Sequence, residues 1–294
     1  MISPQTRLLR LRDGRTLAAA EFGDPGGAPL FYFHGYPGSR LEAELGHAPA
    51  LRQRLRLIAL DRPGFGRSDA DPGRRLSDWP DDVRDAADEL GLRRFAVAGV
   101  SGGGPFAVAC AARLPERLTA AGVLCGLGPP ESGRRGDGMM WHNRLGLTFA
   151  ARAPWLVRPA LAAIGPLLPR LCGLAIANLI RHVSQCDRET LAKPEVLRIV
   201  SSAFREGLSR GGAGMAADGQ IFGRSWDFDP QAIQVPVYLW HGERDLVVPA
   251  SMGRWVAAAI PGTAATYYAE EGHFSIIDRR LDEIFAVLTE KTVS

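Results

Sequence analysis

The 294-residue chain lacks the features that mark several protein classes. It has only four cysteines, at positions 110, 125, 172 and 186. No two have C-x-x-C spacing and none lies in a histidine-rich stretch. This argues against a disulfide framework or a zinc site, and the four read as small apolar fillers. A reducing compartment fits that usage. An excess of one charge is also missing. The 35 basic and 32 acidic residues leave a net charge of +3, too balanced to argue for nucleic acid as a partner. The pairs Arg74-Arg75 and Arg134-Arg135 are expected on a solvated surface. There is no G-x-x-x-x-G-K-[ST] run, hence no P-loop for phosphate, and no internal repeat. No apolar run is uninterrupted for the roughly 20 residues a bilayer span needs. The most apolar stretch, Trp155 to Ile180, is broken by Arg158, Pro159, Pro166, Pro169 and Arg170. It is expected to be an amphipathic cover over a pocket, not a membrane span. Met1 to Arg12 has no apolar core of the signal-peptide kind, so the expected location is the cytoplasm.

What is present is a regular alternation. Short apolar runs at Leu8–Leu11, Thr16–Phe22, Pro29–Phe33, Leu55–Leu60, Phe95–Val100 and Leu118–Leu124 suit strands, most of them buried on both faces. The first two flank the turn Asp13-Gly14. Helical patterns at Trp79–Leu90 and Pro105–Leu114 fall between later strands. Strand, helix, strand in that order predicts an α/β fold, a mostly parallel sheet with helices on both faces. From about Pro129 to Pro230 the rhythm stops and only helices and loops are expected. It resumes with a strand at Val235–Trp240, a helix at Ser251–Ile260, a strand at Thr263–Ala269 and a last helix at Arg279–Glu290. The middle therefore reads as a helical insertion, placed over the strand ends where open α/β sheets bind ligands.

Three strand-end loops carry the candidate chemistry. Gly99-Val100-Ser101-Gly102-Gly103 fits G-x-S-x-G, with a strand before it and a helix after it. A sharp strand-to-helix turn presents the serine at its tip, and glycines two positions either side let neighbouring backbones approach. The plain alternative is a glycine-rich helix N-terminus with Ser101 only capping. Serine needs a base, and His273, in Glu271-Gly272-His273-Phe274, follows a strand. Asp245, in His241-Gly242-Glu243-Arg244-Asp245, follows another and is placed to hold the imidazole in one tautomer. The order Ser, Asp, His along the chain suits an α/β-hydrolase. For the oxyanion, the expected donors are the backbone N–H groups of Gly102 and of Tyr36, in His34-Gly35-Tyr36-Pro37-Gly38-Ser39. His34 and His241 are expected to be structural. His142 and His182 fall in the insertion.

These segments, together with Asp61-Arg62-Pro63-Gly64-Phe65-Gly66-Arg67-Ser68, resemble the α/β-hydrolase superfamily over nearly the whole chain. The resemblance implies an eight-stranded, mostly parallel sheet with a helical cap, here roughly 129 to 230, and a core of 1–128 and 231–294. Serine at 101 counts against the epoxide hydrolases and haloalkane dehalogenases, which use aspartate. Gly102 and Gly103 stand where proline iminopeptidase-like members usually show tryptophan. Ester hydrolysis leads the implied activities. Carbon–carbon bond hydrolysis, lactone hydrolysis, perhydrolysis, hydroxynitrile lysis and bare ligand binding remain open. The implied partner is a small-molecule substrate, with no metal and no organic cofactor needed. Trp141, Phe149, Trp155, Phe222 and Trp226 are candidates either for an apolar pocket lining or for packing the cap onto the sheet. Oligomeric state is left open.

Overall fold

In the computed structural model, which describes residues 5–132 and 139–293, the apolar runs join into one sheet. Its strands are β1 (Thr6–Arg10), β2 (Thr16–Gly23), β3 (Ala28–Phe33), β4 (Leu55–Leu60), β5 (Phe95–Val100), β6 (Leu118–Leu124), β7 (Val237–Gly242) and β8 (Ala264–Tyr268). Their order is β1-β2-β4-β3-β5-β6-β7-β8. Only β2 runs against its neighbours, β1 and β4; every other pair is parallel. The eight-stranded, mostly parallel α/β sheet is as the sequence implied. The turn between β1 and β2 holds Gly14 at φ +89°, a conformation that costs glycine little. β7 starts two residues later than expected, after Pro236, which has no N–H to give a ladder.

Helices α1 (His47–Arg52), α2 (Trp79–Glu89) and α3 (Gly104–Arg113) fall between the early strands. Between β6 and β7 the described residues form α4 (Trp141–Arg152), α5 (Pro154–Ile164), α6 (Leu168–His182), α7 (Gln185–Leu191), α8 (Pro194–Gly207) and α9 (Ala213–Phe222), with no strand among them. α10 (Ala250–Ala259) and α11 (Ser275–Val293) complete the chain.

Successive strand side chains point to opposite faces, and β3 shows what each face meets. Phe31 and Phe33 pack with Trp79 and Val83 of α2 and Phe106 of α3. Leu30 and Tyr32 pack with Ile276, Leu281 and Phe285 of α11 and Ala50 of α1. Both faces are thus covered, which is why these strands read as continuous apolar runs.

The apolar stretch from Trp155 to His182 is long and apolar enough, by length and composition, to cross a membrane. Here it is two helices, α5 and α6, joined by a 3-10 turn at Gly165–Leu167. α5 packs on α9 and α6 on α8. On α6, Leu168, Cys172 and Ile176 repeat every four residues and turn inward.

Candidate active site

Ser101 follows directly on β5 and opens the 3-10 turn Ser101–Gly103 that leads into α3. Its φ is +53°, in the left-handed region. For a residue with a Cβ this costs roughly 1–2 kcal/mol, and such strain persists where surrounding structure imposes it. The surroundings do so here. A Cβ on Gly99 would collide with the Gly103 carbonyl, and one on Gly103 with the Phe33 carbonyl. The two glycines therefore let the turn fold back on β5 and press against β3. Ser101 is buried but for 8% of its surface.

His273 and Asp245 meet across the ends of β7 and β8. His273 Nδ1 lies 2.7 Å from Asp245 Oδ2. The other Asp245 oxygen accepts the Val247 and Val248 N–H groups, each at 2.8 Å. The carboxylate is therefore held in place independently of the ring. Burial disfavours the charged ring of His273, but the charge and hydrogen bond of Asp245 outweigh it, and Asp187 and Glu42 add to the effect. The ring's pKa is raised above 6.5. Burial also pushes Asp245 up. The charge of His273 and hydrogen bonds from His241 and His273 prevail and hold it well below the usual carboxylate range.

A residue the sequence reading passed over fixes the His273 loop. Asp187 of α7 is fully buried. Its oxygens accept the N–H groups of His273 (2.9 Å), Phe274 (2.7 Å) and Ser275 (2.9 Å). These are orphan donors at the N-terminus of α11, and the carboxylate that caps them is delivered from 86 residues away. This capping explains why α11 starts at Ser275, four residues before the expected Arg279.

The loop after β3 is braced from below. Gly35 N–H donates to both Glu42 oxygens, at 3.0 and 3.1 Å, and Tyr32 OH donates to the same carboxyl at 2.7 Å. Burial raises the Glu42 pKa against these bonds. With Gly35 committed to Glu42, the next N–H along the loop is that of Tyr36. A Cβ on Gly102 would sit 2.6 Å from Tyr36 Cβ, so the two expected oxyanion residues face each other closely. His34 is structural: its Nδ1 lies 2.7 Å from the Gly35 carbonyl, and its Nε2 accepts the Arg62 N–H at 3.2 Å. Burial, then the charge of Arg62, drives its pKa well below 6.5. His241 is structural too, with Nε2 2.9 Å from the Val248 carbonyl.

Arg62 is wholly buried and donates to the His34 and Gly35 carbonyls and, at 2.9 Å, to Asp218 of α9. Arg74 donates to the other Asp218 oxygen. This corrects the expectation for the first arginine pair: Arg74 is buried, and only Arg75 is a surface residue, paired with Asp78. Arg134 and Arg135 lie outside the described residues. Asp218→Ala would strand two buried guanidinium groups. It is expected to cost about 3–5 kcal/mol of unfolding free energy, measurable by urea denaturation. A loss under 1 kcal/mol would show that water reaches the pair.

Two cavities meet at Ser101. One, of about 330 Å³, is lined by Ser101, His273, Leu168, Leu179, Phe204 and Phe274 among others. The second, of about 390 Å³, is lined by Ser101, Gly102, Leu127, Leu147, Leu161 and Phe222 among others. Tyr36, Pro37, Met215 and Val247 border both. Among the described residues, neither lining includes an arginine or lysine. Of the aromatic candidates, Phe149 and Phe222 line the second cavity. Trp226 packs on Phe228 and Trp255, and Trp155 is 75% exposed. The side chains of Trp141 and His142 lie outside the described ones. Cys125, His241 and Asp245 offer ligand atoms within 4.8 Å of one another, the one such metal-capable group among the described residues. Asp245 already serves His273 and two backbone donors there.

The sequence model of the alpha/beta hydrolase fold matches residues 28–280. The chain belongs to the alpha/beta hydrolase family. Two relatives match over most of its length. One is a 2-hydroxymuconate semialdehyde hydrolase of Pseudomonas putida, 27% identical over 81% of this chain and 76% of that one. The other is a bifunctional esterase/perhydrolase of Acinetobacter calcoaceticus, 27% identical over 81% and 82%. A shorter match, 34% identical over 40% of this chain, is to the dihydrolipoyllysine-residue acetyltransferase component of an acetoin cleaving system in P. putida, of which it spans 32%. Among solved structures, a thermophilic esterase from Thermogutta terrifontis superposes with a TM-score of 0.70 at 21% identity, covering 99% of this chain and 100% of that one. That likeness shows the shared fold of the family.

Proposed function

We propose that the protein is a serine hydrolase that cleaves neutral carboxylic esters bearing an apolar group on each side of the ester bond. The observation that carries this reading is the placement of Ser101 at the junction of two apolar cavities, with His273 lining one and Gly102 the other. Ser101 Oγ attacks the carbonyl carbon while His273 Nε2 takes its proton, and Asp245 holds the ring and stabilises the imidazolium. The Tyr36 and Gly102 N–H groups receive the oxyanion. His273 then gives the proton to the leaving alkoxide, which departs as the alcohol. The leaving group therefore belongs in the His273 cavity and the acyl group in the Gly102 cavity. Water, deprotonated by the same ring, attacks the acyl-enzyme and releases the acid and free Ser101. The helices of 129–230 act as a cap, since Leu168 and Leu179 roof one cavity and Leu147 and Leu161 the other.

The lining chemistry favours esters over carbon–carbon cleavage of a muconate-type substrate. Such a substrate brings a carboxylate into the site, where no lining cation among the described residues meets it and Glu42 lies close by. Burying an unpaired charge there is costly.

The test is a series of p-nitrophenyl esters of rising acyl length, run beside labelling with a fluorophosphonate. Saturable turnover is expected, with kcat/KM rising about four-fold per added methylene until the cavity fills, together with covalent labelling of Ser101. Labelling without ester turnover would move the reading to another acyl or carbon–carbon substrate. Neither labelling nor turnover would leave a ligand-binding member of the family.

A further inference from the structure

Eight of the eleven exposed large apolar side chains among the described residues lie between 145 and 174, on α4, α5, α6 and the turn before α6. Trp155 and Leu174 are the most open, at 75% and 71%, and Leu156 and Leu167 are about half exposed. Soluble monomers rarely concentrate so many exposed apolar side chains on consecutive helices. The charge around it is one-sided. From Met139 to Cys186 the sequence holds Arg144, Arg152, Arg158, Arg170 and Arg181 and no aspartate or glutamate. The rest of the chain is therefore net negative although the whole is net positive. None of these five arginines makes an ion pair among the described residues, while most arginines elsewhere do. Arg158 reaches back to the Pro72 carbonyl and Gln220, and Arg144, Arg152 and Arg181 are exposed.

A run of helices with exposed apolar side chains, exposed arginines that make no ion pair among the described residues and no acidic residue in the segment complements an anionic lipid surface better than a protein of mixed charge. We propose that α4, α5 and α6 dock the protein onto anionic membranes, lying in the interface rather than spanning it. The 3-10 turn at Gly165–Leu167 and the inward stripe of Leu168, Cys172 and Ile176 commit one side of these helices to the protein. Only the outer side is left for lipid. The exposed face also runs into the cavities. Leu171 is 43% exposed and lines the His273 cavity, and Phe149 is 51% exposed and lines the Gly102 cavity. A hydrophobic solute held in the lipid could thus enter without crossing water. The docking itself does not rest on the proposed activity.

The test is co-flotation of the full chain with vesicles of phosphatidylcholine alone or with roughly one third phosphatidylglycerol, which gives the vesicle a negative surface potential. Binding to the anionic vesicles only is expected, released by about 0.5 M salt. Arg152→Gln and Arg181→Gln should each weaken it about five-fold. Trp155→Ser with Leu174→Ser should abolish it while leaving turnover of soluble p-nitrophenyl acetate unchanged, since neither residue lines a cavity. Equal binding to neutral vesicles, or none to either, would overturn the proposal. So would a dimer in solution that Leu174→Ser dissociates, because a second copy would then cover the face.

Discussion

Ser101→Ala is expected to lower kcat for ester hydrolysis by about 10⁶-fold, the scale seen when the nucleophile of a serine triad is removed, while the protein stays folded. The hydroxyl is the only group lost, and among the described residues no element depends on it for a cap: the packing of the turn rests on Gly99 and Gly103. The same residue permits a sharper check. At φ +53° any Cβ is strained, so Ser101→Gly should lose as much activity and yet melt higher, by about 1 kcal/mol in stability. Reduced activity with raised stability is the signature of a side chain kept for chemistry at a cost to the fold. Turnover above a tenth of the starting value in either variant would place the nucleophile elsewhere. Purified protein, an ester assay and a thermal melt decide it.

The sheet was legible because its signal is local. A strand buried on both faces must be apolar along its length, so β3, β4, β5 and β6 declared themselves within a residue or two. Errors fell where tertiary contacts set a boundary. β1 occupies Thr6–Arg10 rather than Leu8–Leu11 because pairing with β2, Thr6 opposite Ala20 and Arg10 opposite Thr16, decides it, not apolarity. α11 begins early because a carboxylate from α7 caps it.

The site divides in the same way. Ser101, Asp245 and His273 stand out as candidates because each sits in a short motif at a strand end, in a recognisable order. Asp187, Asp218 and Glu42 were not. Ser184-Gln185-Cys186-Asp187 reads as a local helix start, and nothing nearby says that its carboxylate holds the His273 loop. Asp218 lies in Ala216-Ala217-Asp218-Gly219, which reads as a weak helix with a stray acid. Its partners Arg62 and Arg74 are more than 140 residues distant in sequence. A buried charge must be paired, but a sequence shows neither the burial nor the partner. The pair Arg74-Arg75 illustrates this: two adjacent arginines of identical local context, one at 7% exposure inside the protein and the other facing solvent.

Asp245→Asn carries the second large effect, a fall in kcat of about 10⁴-fold, and it is separable from Ser101→Ala by its pH profile. His273 can accept the serine proton only when neutral. Asp245 raises its pKa above 6.5, so in the wild type activity should be lost as pH falls through a value above 6.5. Removing the carboxylate charge leaves burial, which lowers the ring's pKa, opposed only by the weaker contributions of Asp187 and Glu42. The acid limb of kcat/KM should therefore move to lower pH in Asp245→Asn even as the maximum collapses. The collapse has a geometric cause. An amide that keeps the Val247 and Val248 bonds through its oxygen turns its NH₂ toward His273 Nδ1. The ring is then driven to the tautomer with a proton on Nε2, and the atom that should take the serine proton is already occupied. A variant with reduced activity and an unmoved acid limb would mean that Asp245 acts only by packing, and that another group sets the ionisation of His273.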